Sequence, residues 1–434
     1  MKECLAEKKH CYSYKGEVDV PPLAMVDDLL IITECGYKAA MANSFINAKS
    51  NLKKLQFGTE KCHKMHVGKK GQPEICPDLF VDGWQLEEVT QIDTGEKVFK
   101  EVHVGSTKMD EVIEEKYLGD IISHDGKNTK NSTSRVNKGV GISNQIMSIL
   151  EEIYFGPYYF EVAIMLRNSL FISSLLSNSE AWYNLTREDI DKLEQADEIL
   201  LRRILQCPFS TPKEMLYLEL NCLPIRFIIM GRRINFLSSI LKEGEDSLIF
   251  KFLMAQLKNP SKSDWGQTVI SDLEYVDMDM RLCDIANTKT EKFKEMVKMN
   301  IQEAALNYLN KEKSNHNKVK HIPHNEMKIQ DYLSPNELTI DEAKCLFITR
   351  SRMLEVRTNY SGSFNDLRCP LCKLSEDTQQ HLLECPTLHE QGEVVTKTIK
   401  YSDLFSPELN TKISVARIIK SKYEKRKKIL GKNK

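Results

Sequence analysis

The sequence predicts an α+β fold, in which small β-hairpins come first and a mostly helical region and a compact metal-binding module follow. Short β-rich runs lie between glycines and prolines as far as residue 123. After His124 the apolar residues change to the spacing of amphipathic helices. Cysteine and histidine residues then cluster between Cys369 and Cys385 at a spacing typical of metal ligands.

Composition limits the class of protein. The chain has 434 residues, with 61 Lys and Arg against 62 Asp and Glu, and 41% of its residues are hydrophobic. This length corresponds to about two to four folded domains. The N-terminus lacks the apolar segment of a secretory signal, and no apolar run reaches the roughly 18–20 residues of a membrane helix. The sequence therefore predicts an intracellular protein without a membrane partner, whose 12 cysteines are reduced and available to metal.

The first third of the chain predicts strands and one helix. Apolar residues flank two adjacent acids in residues 21–33, which indicates a strand, a turn at Asp27 and Asp28, and a second strand. The next elements predicted are a helix over 36–55, a turn and short strand over 57–70, small hairpins over 71–122, and a closing strand over 115–122.

Helices dominate after residue 124. Apolar spacing predicts helices over 135–154, 160–176, 190–204, 224–241, 245–257, 290–312 and 335–354. Capping-box patterns place helix starts at Thr186, Thr211 and Ser334. Gly244 is predicted to end one helix, and the polar residues 310–324 are predicted to form a linker.

Four residues with metal-ligand spacing lie beyond these helices. Cys369, Cys372, His381 and Cys385 have the pattern C-x2-C-x8-H-x3-C. A CxxC turn lets two thiolates reach one ion, and residues four apart on a helix face the same way. Four N and S ligands without an open position predict a structural zinc site. The alternative is two buried cysteines beside an unrelated His–Cys pair.

The two adjacent acids have two interpretations. Asp is common at turns, so Asp27 and Asp28 can form a solvated turn. Alternatively, their carboxylates can bind Mg²⁺ together with substrate phosphates and support an in-line phosphoryl displacement.

Several segments in series resemble the reverse transcriptases of LINE-type, non-LTR retrotransposons. Met25-Val-Asp27-Asp28 is similar to motif C, the catalytic hairpin of these enzymes, and Glu60–Met65 to their motif D. Lys116–Gly119 is similar to the primer-grip strand. Glu180–Thr186 and the terminal CCHC knuckle are similar to the family's segments beyond the palm. The resemblance covers residues 20–430 in the family's order.

The resemblance implies a polymerase palm, a helical thumb and extension, and RNA and DNA as partners in the nucleus and cytoplasm. It implies that Asp27 binds Mg²⁺, that Asp28 supports this ion, and that Lys61 assists proton transfer to pyrophosphate. Residues implied to contact nucleic acid are Tyr117, Leu118 and Gly119 at the primer end and Arg202, Arg203, Arg232 and Arg233 on duplex phosphates. For these arginines the alternative is ordinary charge on a helix surface.

The sequence departs from the family pattern. Position 25 is Met where an aromatic residue is usual, and position 26 is Val where Ala is usual. Motifs A and B and the fingers have no counterpart, since 24 residues precede Met25. We therefore expect a C-terminal portion of an element that does not polymerise DNA alone. The alternatives are a non-catalytic, zinc-dependent nucleic-acid-binding remnant and a zinc adaptor unrelated to transposons.

Four regions are predicted on these grounds. They are a partial palm (1–123), a helical thumb and extension (124–330), a helix with the zinc knuckle (331–390) and a basic tail (391–434). Ten Lys and Arg against one acid after Thr411 predict a tail that binds a polyanion. As a helix it would turn Ile413, Ala416 and Ile418 or Ile419 inward, and Lys420, Lys422, Lys425 and Lys428 outward. The alternative is a disordered, solubilising tail.

Overall fold

A computed structural model describes residues 12–26, 28–53, 57–68, 77–90, 97–154, 156–322, 324–335, 337–389 and 400–431. Over 83–90 and 97–104, and at residue 401, only the backbone is described. The described fold is mixed α and β, as predicted at that level.

The strands precede nearly all of the helices. They are β1 (Tyr12–Tyr14), β2 (Val18–Val20), β3 (Leu23–Met25), β4 (Asp28–Leu30), β5 (His63–Lys64), β6 (Phe80–Thr90), β7 (Lys97–Lys108), β8 (Asp110–Glu111), β9 (Glu114–Tyr117) and β10 (Asp120–Ser123). The helices are α1 (Gly36–Lys53), α2 (Thr129–Glu152), α3 (Tyr159–Leu166), α4 (Ser173–Leu175), α5 (Arg187–Leu205), α6 (Lys213–Leu220), α7 (Ile225–Glu243), α8 (Leu248–Lys258), α9 (Trp265–Tyr275), α10 (Leu282–Asn287), α11 (Thr290–Ser314), α12 (Ile340–Arg350), α13 (Gln379–Glu384) and α14 (Leu409–Ile429).

The strands pair two by two within the described residues. β3 and β4 are antiparallel, with Met25 opposite Asp28, so the predicted pair of strands is confirmed. The turn was predicted at Asp27 and Asp28, but Asp28 is the first residue of β4 and pairs with Met25. The other pairs are β1–β2, β5–β8, β6–β7 and β9–β10. Few of the described side chains in these strands are buried, and Val26 is 95% exposed. The described residues form no sheet of three or more strands, so the palm stays a prediction.

The closing strand predicted over 115–122 is a hairpin. β9 and β10 are antiparallel, with Tyr117 opposite Asp120. Leu118 and Gly119 form the turn, with φ of 48° and 91°. Two consecutive residues with positive φ produce a turn whose twist matches paired strands, and Gly119 adopts this conformation without a Cβ clash.

The helices enclose two hydrophobic clusters. The larger one joins α2, α3, α5 and α6 to α12, the Cys/His module and α14, and includes Leu200, Leu216 and Phe347. The smaller one lies between α7, α8, α9 and α11 and includes Phe227 and Val269. The chain beyond residue 129 therefore holds most of the buried apolar side chains.

Local signals explain several helix boundaries. Thr186 accepts a hydrogen bond from Asp189 N and the Asp189 carboxylate accepts one from Thr186 N, so the predicted capping box is confirmed. The helix predicted over 160–176 contains a π-helical segment, Arg167–Ile172, between α3 and α4. Gly244 ends α7 as predicted, with φ of 83°.

Two predicted helix starts are wrong. Thr211 makes no capping bond, and α6 begins after Pro212, one residue later than expected. α12 begins after Thr339, because Thr339 and Glu342 exchange both bonds of a capping box. Ser334 instead follows the short 3-10 turn Asp331–Leu333.

Candidate metal centre

The structure brings the four predicted zinc ligands together. The ligand atoms of Cys369, Cys372, His381 and Cys385 all lie within 4.8 Å of one another. Cys369 Sγ is 3.8 Å from Cys385 Sγ, and Cys372 Sγ is 3.2 Å from His381 Nε2. Zn–S bonds of about 2.3 Å in a tetrahedron place two sulfur ligands about 3.8 Å apart. The donor set therefore fits a single Zn²⁺.

A tight turn positions the first two ligands. Lys373, with φ of 61°, reverses the chain after Cys372. Cys369 N then donates to Ser375 O at 2.8 Å, which closes the turn. Leu374 N donates to Cys372 Sγ at 3.5 Å, and this bond is the main cause that lowers the pKa of the Cys372 thiol to about 6. A thiolate is the form that binds metal.

A short helix supplies the other two ligands. The Thr378 side chain caps α13 by accepting from His381 N at 2.9 Å. His381 lies in the first turn of α13, and Cys385 follows its last residue. Cys369 and Cys385 are buried, so the cluster lies at the edge of the larger hydrophobic core. Four N and S donors leave no open coordination position, which fits a structural ion and not a catalytic one.

The C-terminal helix holds the module in place. Arg426 in α14 donates to both carboxylate oxygens of the buried Asp377, which directly precedes Thr378. Lys422 and Lys425 donate to Leu383 O and Leu388 O at 2.8 and 3.2 Å. These roles of Asp377 and Arg426 were not predicted from the sequence. The cap at Thr378 was detectable, since Thr is a preferred N-cap residue.

α14 decides between the interpretations of the tail. Residues 409–429 form a helix, so the disordered alternative is wrong for this stretch. Ile413, Ala416 and Ile419 are buried, as predicted, whereas Ile418 is exposed. The prediction that Lys422 and Lys425 point outward is wrong, because the carbonyls of the module are acceptors for both.

Other basic residues of α14 also have protein partners. Lys412 binds both carboxylate oxygens of Asp331 at 2.7 Å. Arg417 lies 3.7 Å from Glu342, and Lys420 lies 3.9 Å from Asp341. Much of the charge that the sequence assigned to a polyanion therefore stabilises the fold. Lys428 is exposed.

The predicted catalytic residues do not form a described site. Asp27 lies outside the described residues. Asp28 is the exposed first residue of β4, and Lys61 is exposed at the end of the 3-10 turn Thr59–Lys61. In the described part of the chain, one group of three or more His, Cys, Asp or Glu side chains is close enough to share a metal. It consists of Cys369, Cys372, His381 and Cys385. The Mg²⁺ site stays a prediction.

The segment predicted to grip the primer is anchored to the helical region. Asn178 Nδ2 donates to Leu118 O at 3.2 Å and to Asp120 Oδ2 at 2.8 Å. The buried Arg135 donates to Asp120 Oδ1 at 2.8 Å. Burial raises the pKa of Asp120, but the hydrogen bonds from Arg135, Asn178 and Asn131 outweigh it, so the pKa is lowered. Leu118 is exposed, and the bonds from Asn178 and Arg135 connect this turn to the helical region.

The four arginines predicted to contact duplex phosphates have structural partners. Arg233 is buried and donates to both oxygens of Asp272 at 2.6 and 3.0 Å. Arg202, also buried, donates to Glu198 and to Thr211 O. Neither the phosphate role nor the alternative of ordinary surface charge describes these two residues, because both are buried and donate to groups of the protein.

Arg203 and Arg232 are only partly buried. Arg203 donates to Ser143 Oγ and Asn144 Oδ1 at 3.0 and 2.9 Å. Arg232 donates through Nη1 alone, to Leu176 O and Ser179 Oγ. A guanidinium has five N–H groups, so Arg232 keeps donors for a ligand.

A buried polar network connects α6 with α11, α12 and the segment between α11 and α12. It was not predicted from the sequence. The Glu219 carboxylate accepts from Tyr332 Oη at 2.6 Å and Arg350 Nη2 at 2.9 Å, and it lies 3.0 Å from His324 Nε2. Lys313 Nζ lies 2.9 Å from His324 Nδ1. Lys313, Val319, Ile322 and His324, in the segment predicted to be a linker, are therefore buried. Their polarity concealed this, because the buried carboxylate of Glu219 lies 105 residues from His324 in the sequence.

Comparisons with protein-family models, with curated proteins and with solved structures find no match for this chain. Among the described residues, no helix combines the length and apolarity that crossing a membrane requires.

Proposed function

We propose that this chain is a C-terminal portion of a LINE-type, non-LTR retrotransposon reverse transcriptase that binds RNA and DNA with the help of a structural zinc ion. The observation that carries the proposal is the convergence of Cys369, Cys372, His381 and Cys385 within 4.8 Å, at the end of a series of motifs in the family's order. A structural zinc does no chemistry itself but fixes a surface that can bind nucleic acid.

The surface of the zinc module supports this proposal. Phe364 and Leu374 are exposed large apolar side chains, and Arg368 and Lys373 are exposed cations in the same module. Exposed aromatic rings stack on unpaired bases, and cations neutralise phosphates. The Arg357 guanidinium lies 5.4 Å from the Phe364 ring centroid and holds that ring at the surface.

Binding is proposed for the chain by itself, and catalysis is not. Asp27, Asp28 and Lys61 are the residues with catalytic counterparts in the family, and no counterpart of motif A supplies the further carboxylate that two metal ions need. The family reaction, RNA-templated DNA synthesis with Mg²⁺, therefore belongs in this proposal to a larger catalytic unit.

The test measures zinc and nucleic-acid affinity on the full chain. Elemental analysis of protein kept reduced is expected to give one zinc per chain. Fluorescence anisotropy with labelled single-stranded RNA and DNA is expected to show binding that weakens at least tenfold after metal removal and in Cys372→Ser. Cys283→Ser, an exposed cysteine in α10, is the matched control and is expected to bind normally. Zinc-free protein, or affinity that is unchanged in Cys372→Ser, would overturn the proposal.

A further inference from the structure

A cavity of about 320 Å³ lies between α7 and the first turn of α11. Three cations line it: Arg232 and Lys242 from α7, and Lys294 from α11. Glu180 also lines it, and Phe236 contributes an aromatic residue. Three positive charges against one negative charge leave a net charge of about two positive units, so the cavity is suited to an anion.

The cations retain the capacity to bind a ligand. Within the described part of the chain, Arg232 and Lys242 form no ion pair, and Lys294 forms one exposed pair, with Glu291 at 3.7 Å. Lys242 Nζ donates to Thr290 Oγ1 at 3.0 Å, which leaves the Thr290 hydroxyl proton for another acceptor. Burial lowers the pKa of Arg232, whereas Glu180 acts in the opposite direction. A bound anion would compensate the desolvated guanidinium.

We propose that this cavity binds a terminal phosphate monoester, such as the end of a nucleic-acid strand. The inference rests on the proposed function for the identity of the strand, but the chemistry follows from the cavity. A phosphate monoester carries about 1.5 to 2 negative charges at neutral pH, which matches the cavity's net charge. Its oxygens accept charge-assisted hydrogen bonds from Arg232, Lys242 and Lys294. The adjoining sugar or base then packs against Phe236.

The test uses one oligonucleotide in two forms, with a 5′-phosphate and with a 5′-hydroxyl, at constant ionic strength. The full chain is expected to bind the phosphorylated form roughly tenfold more tightly, the usual effect of one charge-assisted contact or more. Lys242→Gln and Lys294→Gln are expected to reduce this preference. Lys292→Gln is the matched control, because Lys292 is exposed in the same turn of α11 without lining the cavity. Arg232 is kept, since its contact with Leu176 O also supports the fold.

The outcomes separate the two proposals. If neither form binds, the proposed function fails. The affinities of the same variants for adenosine monophosphate and for adenosine then show whether the cavity binds a phosphate monoester. If the protein prefers the monophosphate and both lysine variants lose this preference, the cavity binds the phosphate monoester of a free nucleotide and not that of a strand. If phosphate gives no preference with either ligand pair, or if the preference is equal in Lys242→Gln, Lys294→Gln and Lys292→Gln, the inference is wrong.

Discussion

Arg426 in the C-terminal helix and Asp377 in the metal module form a bidentate ion pair in the interior, with N–O distances of 2.8 and 2.6 Å. Asp377 also accepts from Arg357 N at 2.9 Å. The pair connects two segments 49 residues apart in the chain. α14, which follows the four ligands in the sequence, is thus part of the same folded unit as the metal module.

Replacing Arg426 is expected to destabilise the protein strongly. Arg426→Leu leaves the Asp377 carboxylate buried without its cation, which costs on the order of 3–5 kcal/mol. Arg417→Leu, on the same helix but in an exposed pair, is the control and is expected to cost less than about 1 kcal/mol. The free energies of unfolding in urea measure both. Equal effects in the two variants would contradict the structural role of Arg426.

Loss of one zinc ligand is expected to unfold the module locally. Metal binding and folding are coupled at such sites, so Cys372→Ser removes the free energy that keeps residues 365–390 ordered. Because Lys422 and Lys425 bind carbonyls of this module, the loss of protection is expected to extend into α14. Hydrogen exchange with peptide resolution measures this. Protection that is unchanged in α13 and α14, or lost uniformly across α5 and α7, would contradict it.

The buried network predicts a defined response to acid. Burial raises the pKa of Glu219, but Arg350 and His324 outweigh it and bring the pKa from 4.5 down to about 2. A carboxyl with a lowered folded-state pKa contributes stability above its unfolded value, and this stability is lost as pH falls through the folded value. The free energy of unfolding should therefore fall by about 3 kcal/mol between pH 4.5 and 2 through this group alone.

Glu219→Gln tests this assignment. The variant is expected to be less stable at neutral pH, since Arg350 loses its charged partner, and to lack that part of the acid dependence. Glu245→Gln changes an exposed carboxylate and serves as the control. Denaturant titrations at several pH values between 2 and 7 give the two profiles. If Glu219→Gln and the parent protein lose stability in parallel below pH 4.5, the network is not the cause.

Primer extension is expected to be absent. The purified chain should not extend a primer on an RNA template with Mg²⁺ or Mn²⁺, because the sequence supplies only Asp27 and Asp28 as recognisable metal-binding carboxylates. Product analysis on a denaturing gel measures this. Template-dependent extension that Asp27→Ala abolishes would overturn the expectation and restore the polymerase interpretation.

The sequence predicted features that depend on near neighbours. Thr186 and Asp189 are three residues apart, so their capping box could be recognised from the pattern. The ligands from Cys369 to Cys385 span 17 residues, and their spacing alone predicted a common site. Such features can be predicted because local backbone geometry brings the partners together independently of the rest of the fold.

Features that depend on distant partners could not be predicted. Lys313 and His324 have the polarity of a linker, and the carboxylate of Glu219, 105 residues from His324, helps to make their burial favourable. The basic tail was assigned to an external polyanion for the same reason. A sequence gives the charge of Lys422 but not the acceptor, Leu383 O, that uses it.

The last prediction concerns the part of the tail that remains available to nucleic acid. Lys428 is exposed and Lys427 lies over the Tyr423 ring at 4.5 Å, near the end of α14. If both contact phosphates, Lys427→Gln with Lys428→Gln removes two released counterions. The slope of log K against log salt should then become shallower by about 1.4 for single strands and about 1.8 for duplex.

The control is the double variant Lys251→Gln with Lys262→Gln, two exposed lysines on and after α8 that carry the same total charge. It is expected to leave the slope within about 0.5 of the parent protein, because unbound charges do not release counterions from the strand. Fluorescence anisotropy between 50 and 300 mM salt, roughly the range in which such slopes are resolved, measures all three proteins. A slope that the Lys427 and Lys428 variant leaves unchanged would show that the tail acts only through its packing against the metal module, and that phosphate binding resides elsewhere.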